Sequence, residues 1–239
     1  MENNQIYCQK TFKIKNTMPK VSVIMPAYNV GEYIRTAIDS ILGQTFKDWE
    51  LIIADDYSTD NTVDIIENYC KERHNILLIK RFNNSGGARL PRKEAAYAAT
   101  GDFIMTYDAD DFLDKDYIEK MYNRLLETGA NIVLSTLYFC NDKGEQNGYI
   151  IPSTSFPLKN TMSGKEATKL LLGEVAISVS GLLIERQKYL DNISSGESIE
   201  DNYSYVDEID QRRLLFSCEK VAFADTKYYY RQHAESLMH

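Results

Sequence analysis

The sequence predicts an α/β fold, a mostly parallel sheet with helices on both sides, and three observations carry the prediction. Short β-branched apolar runs alternate four times with segments of helical period between Val21 and Glu127. Strand–helix alternation of this kind builds parallel sheets, because each helical crossover returns the chain to the same edge. The apolar runs also lack the in–out alternation of a half-exposed strand, as expected where both faces are covered. Finally, 239 residues at 44% hydrophobic and 26% charged are enough to fill a large core.

Taken in order, Val21 to Met25 (VSVIM) is the first strand, stopped by Pro26. The segment from Glu32 to Gly43 is a helix with Ile34, Ala37, Ile38, Ile41 and Leu42 at helical spacing, and it ends at a glycine. Glu50 to Ala54 is the second strand. Thr59 or Asp60 can cap the helix that follows, which carries Val63, Ile66 and Tyr69 on one face. Ile76 to Ile79 is the third strand, and an alanine-rich helix runs to about Thr100. Phe103 to Tyr107 is the fourth strand and Lys115 to Glu127 the fourth helix. The pattern then changes. Asn131 to Cys140 is strand-like, 141–148 is a turn into another extended piece, and Ser163 with Glu166 forms a capping box opening a helix to Leu172. Asp201 to Phe216 reads as a helix, and Lys220 to Arg231 as an extended, tyrosine-rich segment. The chain is therefore read as an N-terminal extension (1–18) expected to be poorly ordered, a strand–helix half (19–130), and a smaller mixed α+β half of the same domain (131–239).

With 27 basic and 35 acidic residues, a net charge of -8, the chain is not expected to bind nucleic acid or to adhere to anionic lipid by charge alone. No apolar stretch approaches the ~18 residues of a membrane span, and 1–16 lacks the apolar centre of a secretory signal. Cys8, Cys70, Cys140 and Cys218 lie far apart with no C-x-x-C pair. That argues against zinc and disulfide frameworks and fits a reducing cytoplasm.

Charge is unevenly placed. Lys80 to Lys93 holds five basic residues and no acid, Asp102 to Asp116 six aspartates against Lys115 alone, and Asp191 to Asp210 seven acids with no Lys or Arg. Such runs are ordinarily solvated faces. Three strand ends argue for more than that. The first strand ends Pro26-Ala-Tyr-Asn29, the second Asp55-Asp-Tyr-Ser-Thr-Asp60, and the fourth Asp108-Ala-Asp-Asp111. All fall at the carboxyl edge, where open parallel sheets bind ligands. Taken singly, Asp55 or Asp60 is a turn former or cap; Asp114 and Asp116 read as acids at the start of the next helix, and the blander alternative adds Asp111 to them and makes Asp108 a turn former. Asp108 and Asp110, two residues apart, can point the same way. Together they present hard oxygen ligands to Mg²⁺ or Mn²⁺, leaving positions for phosphate oxygens.

The pieces VSVIMPAYN, EYIRTAIDSILGQTF, WELIIADDYSTDNT, NNSGGAR, ATGDFIMTYDADD, IED and YYYRQHAES, in that order, resemble the bacterial nucleotide-sugar glycosyltransferases of family 2, which have the GT-A fold. The resemblance spans Lys20 to the C-terminus. It implies that 19–130 is the nucleotide-sugar-binding half and 131–239 the acceptor side. It also implies that Pro26, Ala27, Tyr28 and the Asp55–Asp56 pair hold the base and ribose, with Arg89 and the glycines of Asn84-Ser-Gly-Gly87 beside the diphosphate or base. Asp108 touches the ribose or the metal, and Asp110 binds a divalent cation (Mn²⁺ or Mg²⁺) bridging the two phosphates. Asp201 is the implied general base, although by itself it reads as a plain helix cap. Tyr230, Arg231 and His233 match a late motif that closes over the donor phosphates.

The reaction so implied is an inverting transfer from a UDP-linked sugar to a hydroxyl of a saccharide or lipid-linked acceptor. The expected setting is bacterial envelope polysaccharide synthesis in the cytoplasm, at the inner face of the membrane through peripheral contact. The chemistry is coherent. A bound cation stabilises the departing diphosphate without protonation, so one carboxylate suffices to activate the acceptor, and attack opposite the leaving group inverts the anomeric centre. Three departures bear on the donor pocket. Tyr57 stands where the family most often has glycine and is strained if φ is positive there. Leu90 replaces a usual asparagine, and Pro91 marks a kink or restart of the helix. The alternatives are a nucleotide-sugar-binding protein of the same fold without efficient transfer, and a sugar-phosphate nucleotidyltransferase. The second needs a glycine-rich loop where this chain has Pro-Ala-Tyr-Asn.

Overall fold

The computed structural model describes residues 6–7, 18–151, 161–171, 181–195 and 206–232. A short strand β1 (Ile6–Tyr7) is followed by β2 (Val21–Ala27), α1 (Ile34–Leu42), β3 (Trp49–Asp55), α2 (Thr62–Glu72), β4 (Ile76–Lys80), α3 (Arg89–Ala98) and β5 (Phe103–Thr106). Then come β6 (Phe112–Leu113), α4 (Tyr117–Thr128), β7 (Ile132–Cys140), β8 (Gln146–Ile151), α5 (Gly164–Leu171), β9 (Leu183–Glu185), α6 (Arg186–Ser195), α7 (Val206–Ser217) and β10 (Val221–Arg231).

One ten-stranded sheet runs through both halves in the order β1-β4-β3-β2-β5-β9-β7-β10-β6, with β8 paired to β7. β4, β3, β2 and β5 are parallel, and their register sets Ala27 beside Asp55 at the carboxyl ends. β9 lies antiparallel between β5 and β7. β10 runs parallel to β7 and antiparallel to β6, pairing Tyr228 with Leu113 and Tyr229 with Phe112.

The central strands are apolar throughout because each face has its own core. Val21, Val23, Met25, Leu51 and Ile53 pack with Ile34, Ala37, Ile38 and Ile41 of α1 on one side. Ile24, Ile52 and Ala54 pack with Ala95 and Ala96 of α3 and with Leu214 and Leu215 of α7 on the other. Each of the valine, leucine, isoleucine and methionine side chains among these contributes ~1.5–3 kcal/mol when fully buried, so these strands hold the carboxyl edge rigid. Pro26 sits within β2 beyond the last residue paired with β5, where its missing N–H breaks no ladder bond on that side.

The four strand–helix units form as the sequence predicts, and the capping box is reciprocal: Ser163 N–H donates to Glu166 Oε2 (2.9 Å) and Glu166 N–H to Ser163 Oγ (3.2 Å). Asp60 caps the second helix from one position outside, accepting the Thr62 N–H at 3.0 Å, while Asn61 holds the N-cap position itself. Pro91 neither kinks nor restarts its helix. It occupies the first turn of α3, where its missing N–H has no intrahelical partner to lose. β1, β6, β9 and α6 are not foreseen, since two- and three-residue strands are too short to show a period and α6 (RQKYLDNISS) has a weak apolar stripe. Within 1–17 only Ile6 and Tyr7 are described, and they pair antiparallel with Lys80 and Ile79. The helix expected from Asp201 is described from Val206, and Asp201 and His233 lie outside the described residues.

Candidate active site

Three polar strand ends meet on neighbouring strands, with β2 in the middle. The Asp56 N–H donates to Ala27 O at 2.8 Å, which ties the ends of β2 and β3 together. Pro26, Ala27, Asp55 and Asp56 are buried, while Tyr28 is 47% exposed. The Asp55 carboxylate accepts the Ser58 N–H at 3.0 Å and the Ser58 hydroxyl. Burial raises its pKa, and the bonds from Ser58 oppose that rise. Asp56 is paired with Arg81 and accepts from Ser85 N–H (3.0 Å) and Ser85 Oγ (2.9 Å). Arg81 also reaches Glu94 at 3.2 Å. Asp56 thus folds the Asn84–Gly87 loop against the end of β3. A second bond, from the Gly86 N–H to Asn84 Oδ1 (2.6 Å), uses the positive φ of Gly86 (83°).

Three of the five basic residues, Arg89, Arg92 and Lys93, lie in the first part of α3, while Lys80 ends β4 and Arg81 follows it. Arg89 Nε donates to Asp210 Oδ2 on α7 at 2.9 Å, and Arg92 pairs with Asp108 Oδ1 at 3.1 Å. Arg92 therefore joins the basic run directly to the acidic loop, a link that could be sensed only from the alternation of charge blocks. Leu90, where a polar residue was expected, lies between them in the same turn.

The Asp108–Asp111 loop divides its acids by burial. The Asp108 side chain is 24% exposed and Asp110 is partly exposed, whereas Asp111 is fully buried. Asp111 does not stand at a helix start, since α4 begins only at Tyr117. Asp111 instead accepts from Tyr228 OH (2.6 Å) and from the Arg231 N–H (2.8 Å) on β10. Its pKa stands well above the ordinary value, first through burial and then through repulsion from Asp110 and Asp108. Tyr228 OH also accepts the Asp108 N–H at 3.2 Å. Asp114 accepts from Tyr229 OH at 3.0 Å, and Asp116 caps α4 by position and pairs with Lys120 at 3.0 Å.

Arg231 is buried, and its Nε donates to Asp110 O (2.9 Å) and its Nη1 to Asp142 O (2.6 Å). Its guanidinium carbon lies 5.2 Å from the Tyr33 ring centre and 5.5 Å from that of Phe112. It holds the backbone of the acidic loop in this arrangement. Tyr230 packs edge-on against Phe139, ring centres 5.2 Å apart. Sequence reasoning missed Arg81, Asp111 and Tyr228 as parts of this site. The available signals were the basic run Lys80–Lys93, which contains Arg81, the strand end Asp108–Asp111, and the tyrosine-rich segment that ends in Arg231.

Among the described residues no group of three or more His, Cys, Asp or Glu could hold a metal ion by itself. Asp108 and Asp110 are both partly exposed carboxylates, the donor type that Mg²⁺ or Mn²⁺ takes, one or two of them being commonly completed by substrate phosphates and water.

A parallel sheet with acidic ends gathered round its central strand, extended by a mixed half that returns a strand to the same edge, defines a GT-A nucleotide-sugar fold. The chain belongs to glycosyl transferase family 2, whose sequence profile matches residues 22–194. It is 30% identical over 217 residues to a poly(ribitol-phosphate) β-glucosyltransferase of Bacillus spizizenii, covering 88% of this chain and 32% of that protein. It is 26% identical over 220 residues to the glycosyltransferase GlyG of Streptococcus pneumoniae, covering 91% of this chain and 72% of that one. The fold matches Staphylococcus aureus TarS 1–349, solved in complex with UDP-GlcNAc, with a TM-score of 0.72 at 23% identity, over 92% of this chain and 60% of that one. A mannosyltransferase of Pyrobaculum calidifontis, solved with GDP-Man and Mn²⁺, matches with a TM-score of 0.63 at 14% identity, over 96% of this chain and 62% of that one. The chain thus spans about a third of the first of these relatives and about three fifths of the matched structures. No described helix is long and apolar enough to cross a membrane.

Proposed function

We propose that this chain transfers a hexosyl or N-acetylhexosaminyl group from a UDP-linked donor to a hydroxyl of a cell-envelope polysaccharide or lipid-linked saccharide, with inversion. The observation that carries the reading is the convergence of the Asp55–Asp56 and Asp108–Asp110 strand ends on either side of β2. The names of the relatives, which include poly(ribitol-phosphate) glycosyltransferases, and the UDP-GlcNAc complex of TarS support the substrate class.

In this reading Tyr28, Ala27 and the Asp55 region hold the nucleoside, and Arg89 with the Asn84–Gly87 loop lies beside the diphosphate. Asp108 and Asp110 hold a divalent cation, which supplies charge stabilisation of the departing diphosphate. Asp201 takes the proton of the acceptor hydroxyl as it attacks the face opposite the leaving group. Tyr230, Arg231 and His233 close on the donor side. Working at the inner face of the membrane follows from an acceptor carried on lipid.

The test is nucleoside-diphosphate release from UDP-, GDP- and dTDP-sugars with Mn²⁺, Mg²⁺ or EDTA, for the intact chain and for Asp110→Ala and Asp201→Ala. Release from one donor, abolished by EDTA and by both substitutions, is the expected result. Metal-dependent donor binding that never leads to release, with acceptor saccharides supplied, favours the non-transferring nucleotide-sugar binder instead. No metal-dependent binding of any donor refutes the site.

A further inference from the structure

The ends of β2 and β3 carry a feature that ordinary donor-site geometry does not require. Tyr57 sits at φ 70°, a left-handed conformation in which a β-carbon crowds the backbone and which glycine adopts freely. Packing covers only about half of the residue, since Tyr57 is 52% exposed. Asn29 shares the left-handed region at φ 49°, but asparagine tolerates it well. A bulky aromatic residue kept in such a conformation with half of its surface exposed points to a task other than stability.

The loop hydrogen bonds say where that side chain stands. Ala27 O accepts the Asp56 N–H at 2.8 Å, and the Asn29 N–H donates to Ser58 Oγ at 2.9 Å. Tyr28 is the residue between these two attachment points on one loop, and Tyr57 the residue between them on the other. A third bond, Thr59 N–H to Asn29 Oδ1 at 2.8 Å, fixes the pairing of the loops. Two exposed tyrosines therefore stand at the same level of adjacent strand ends, above buried Pro26, Ala27, Asp55 and Asp56. Exposed aromatic faces beside a crevice are stacking platforms for nucleobases, tolerant of base identity because every base has a π face.

We infer that Tyr57 is a second stacking surface for the nucleobase of the donor, acting with Tyr28, and that it sets how tightly the nucleoside is held. This rests on the donor-site reading given above. The backbone strain is retained because glycine at this position, though better suited to the turn, offers the base nothing to stack on.

The experiment is calorimetric titration of UDP, GDP and dTDP, of the nucleoside matching the tightest of them, and of ribose 5-phosphate, into the whole chain with Mg²⁺ present. Wild type, Tyr57→Gly and Tyr57→Phe are compared, with melting temperatures recorded for each. Tyr57→Gly is expected to weaken the preferred diphosphate and its nucleoside alike by about tenfold. It should leave ribose 5-phosphate as in wild type and melt about 2 °C higher, because the strain is relieved. Tyr57→Phe should bind as wild type does. Wild-type affinity in Tyr57→Gly overturns the inference and leaves the donor site standing. An equal loss for ribose 5-phosphate also overturns it, since the loop and not the base contact is then responsible. Failure of wild type to bind any of the three diphosphates brings down the donor-site reading and the inference together.

Discussion

The acidic end of β3 and the acidic loop after β5 flank the same strand and carry the same side chain, yet their carboxylates meet opposite environments. At β3 both acids are buried and engaged, Asp55 by Ser58 and Asp56 by Arg81 and Ser85. There they act as internal clamps that shape the turn and seat the Asn84–Gly87 loop. After β5 the acids divide. Asp111 is sealed under Tyr228 and the Arg231 backbone, while Asp108 and Asp110 keep partial access to solvent. A carboxylate whose lone pairs are filled by the protein builds the site, and one left at its surface can meet a cation or a ligand. Residue type alone does not separate the two roles.

The sharpest way to break this contrast is at Asp110. Asp110→Ala is expected to lower donor turnover by at least about 10³-fold, equivalent to the several kcal/mol that a bound cation supplies. Stability, measured by urea unfolding, should change by about 1 kcal/mol or less, because Asp110 is only partly buried. A large loss of stability would place Asp110 with the clamps. The converse holds at the other end. Arg81→Ala strands the buried Asp56 without its cation and should cost ~3–5 kcal/mol in the same unfolding assay. A cost under about 1 kcal/mol would mean that Asp56 reaches solvent and that the two ends are alike.

A smaller effect is expected from Tyr228→Phe, which takes the donor from Asp111 Oδ2 and the acceptor from the Asp108 N–H. Its cost should be ~1–3 kcal/mol, with a raised metal requirement for donor release as the loop loosens. The subtlest test is the pH dependence of stability in EDTA. Asp55 and Asp111 both have raised folded-state pKa values, chiefly through burial. Folding therefore takes up protons above the ordinary carboxylate range, and raising the pH from that range through the folded-state values lowers stability. Asp60, whose pKa is lowered by the bonds it accepts from Thr62 and Gly31 against opposing burial, acts in the other direction but below the ordinary range, so the windows do not overlap. Melting temperature against pH should fall across the upper window, and Asp111→Asn should flatten the fall. A flat profile in wild type would show that neither Asp55 nor Asp111 is held above the ordinary range by burial.

Much of this architecture was legible beforehand, for reasons that particular residues make plain. VSVIM reads as a strand with two covered faces because Val23 and Ile24 enter two different cores. Ser163 and Glu166 read as a cap because both partners lie within one turn. Tyr57 drew notice only through the resemblance, standing where the family most often has glycine, and its φ is positive. β9 was not legible, since three residues leave no period, although it carries the sheet from β5 to β7.

What the sequence by itself determined is whatever depends on near neighbours: the strand–helix alternation, the caps, and the gathering of acids at strand ends. The division of labour among those acids was decided only by the tertiary structure. Asp110 and Asp111 are adjacent in the chain and chemically identical. They differ because β10 brings Tyr228 and Arg231 from more than a hundred residues away, covers one carboxylate and leaves the other at the edge. Burial and hydrogen-bond donors set what a carboxylate does, and both arrive here from parts of the chain that no local pattern links to the motif.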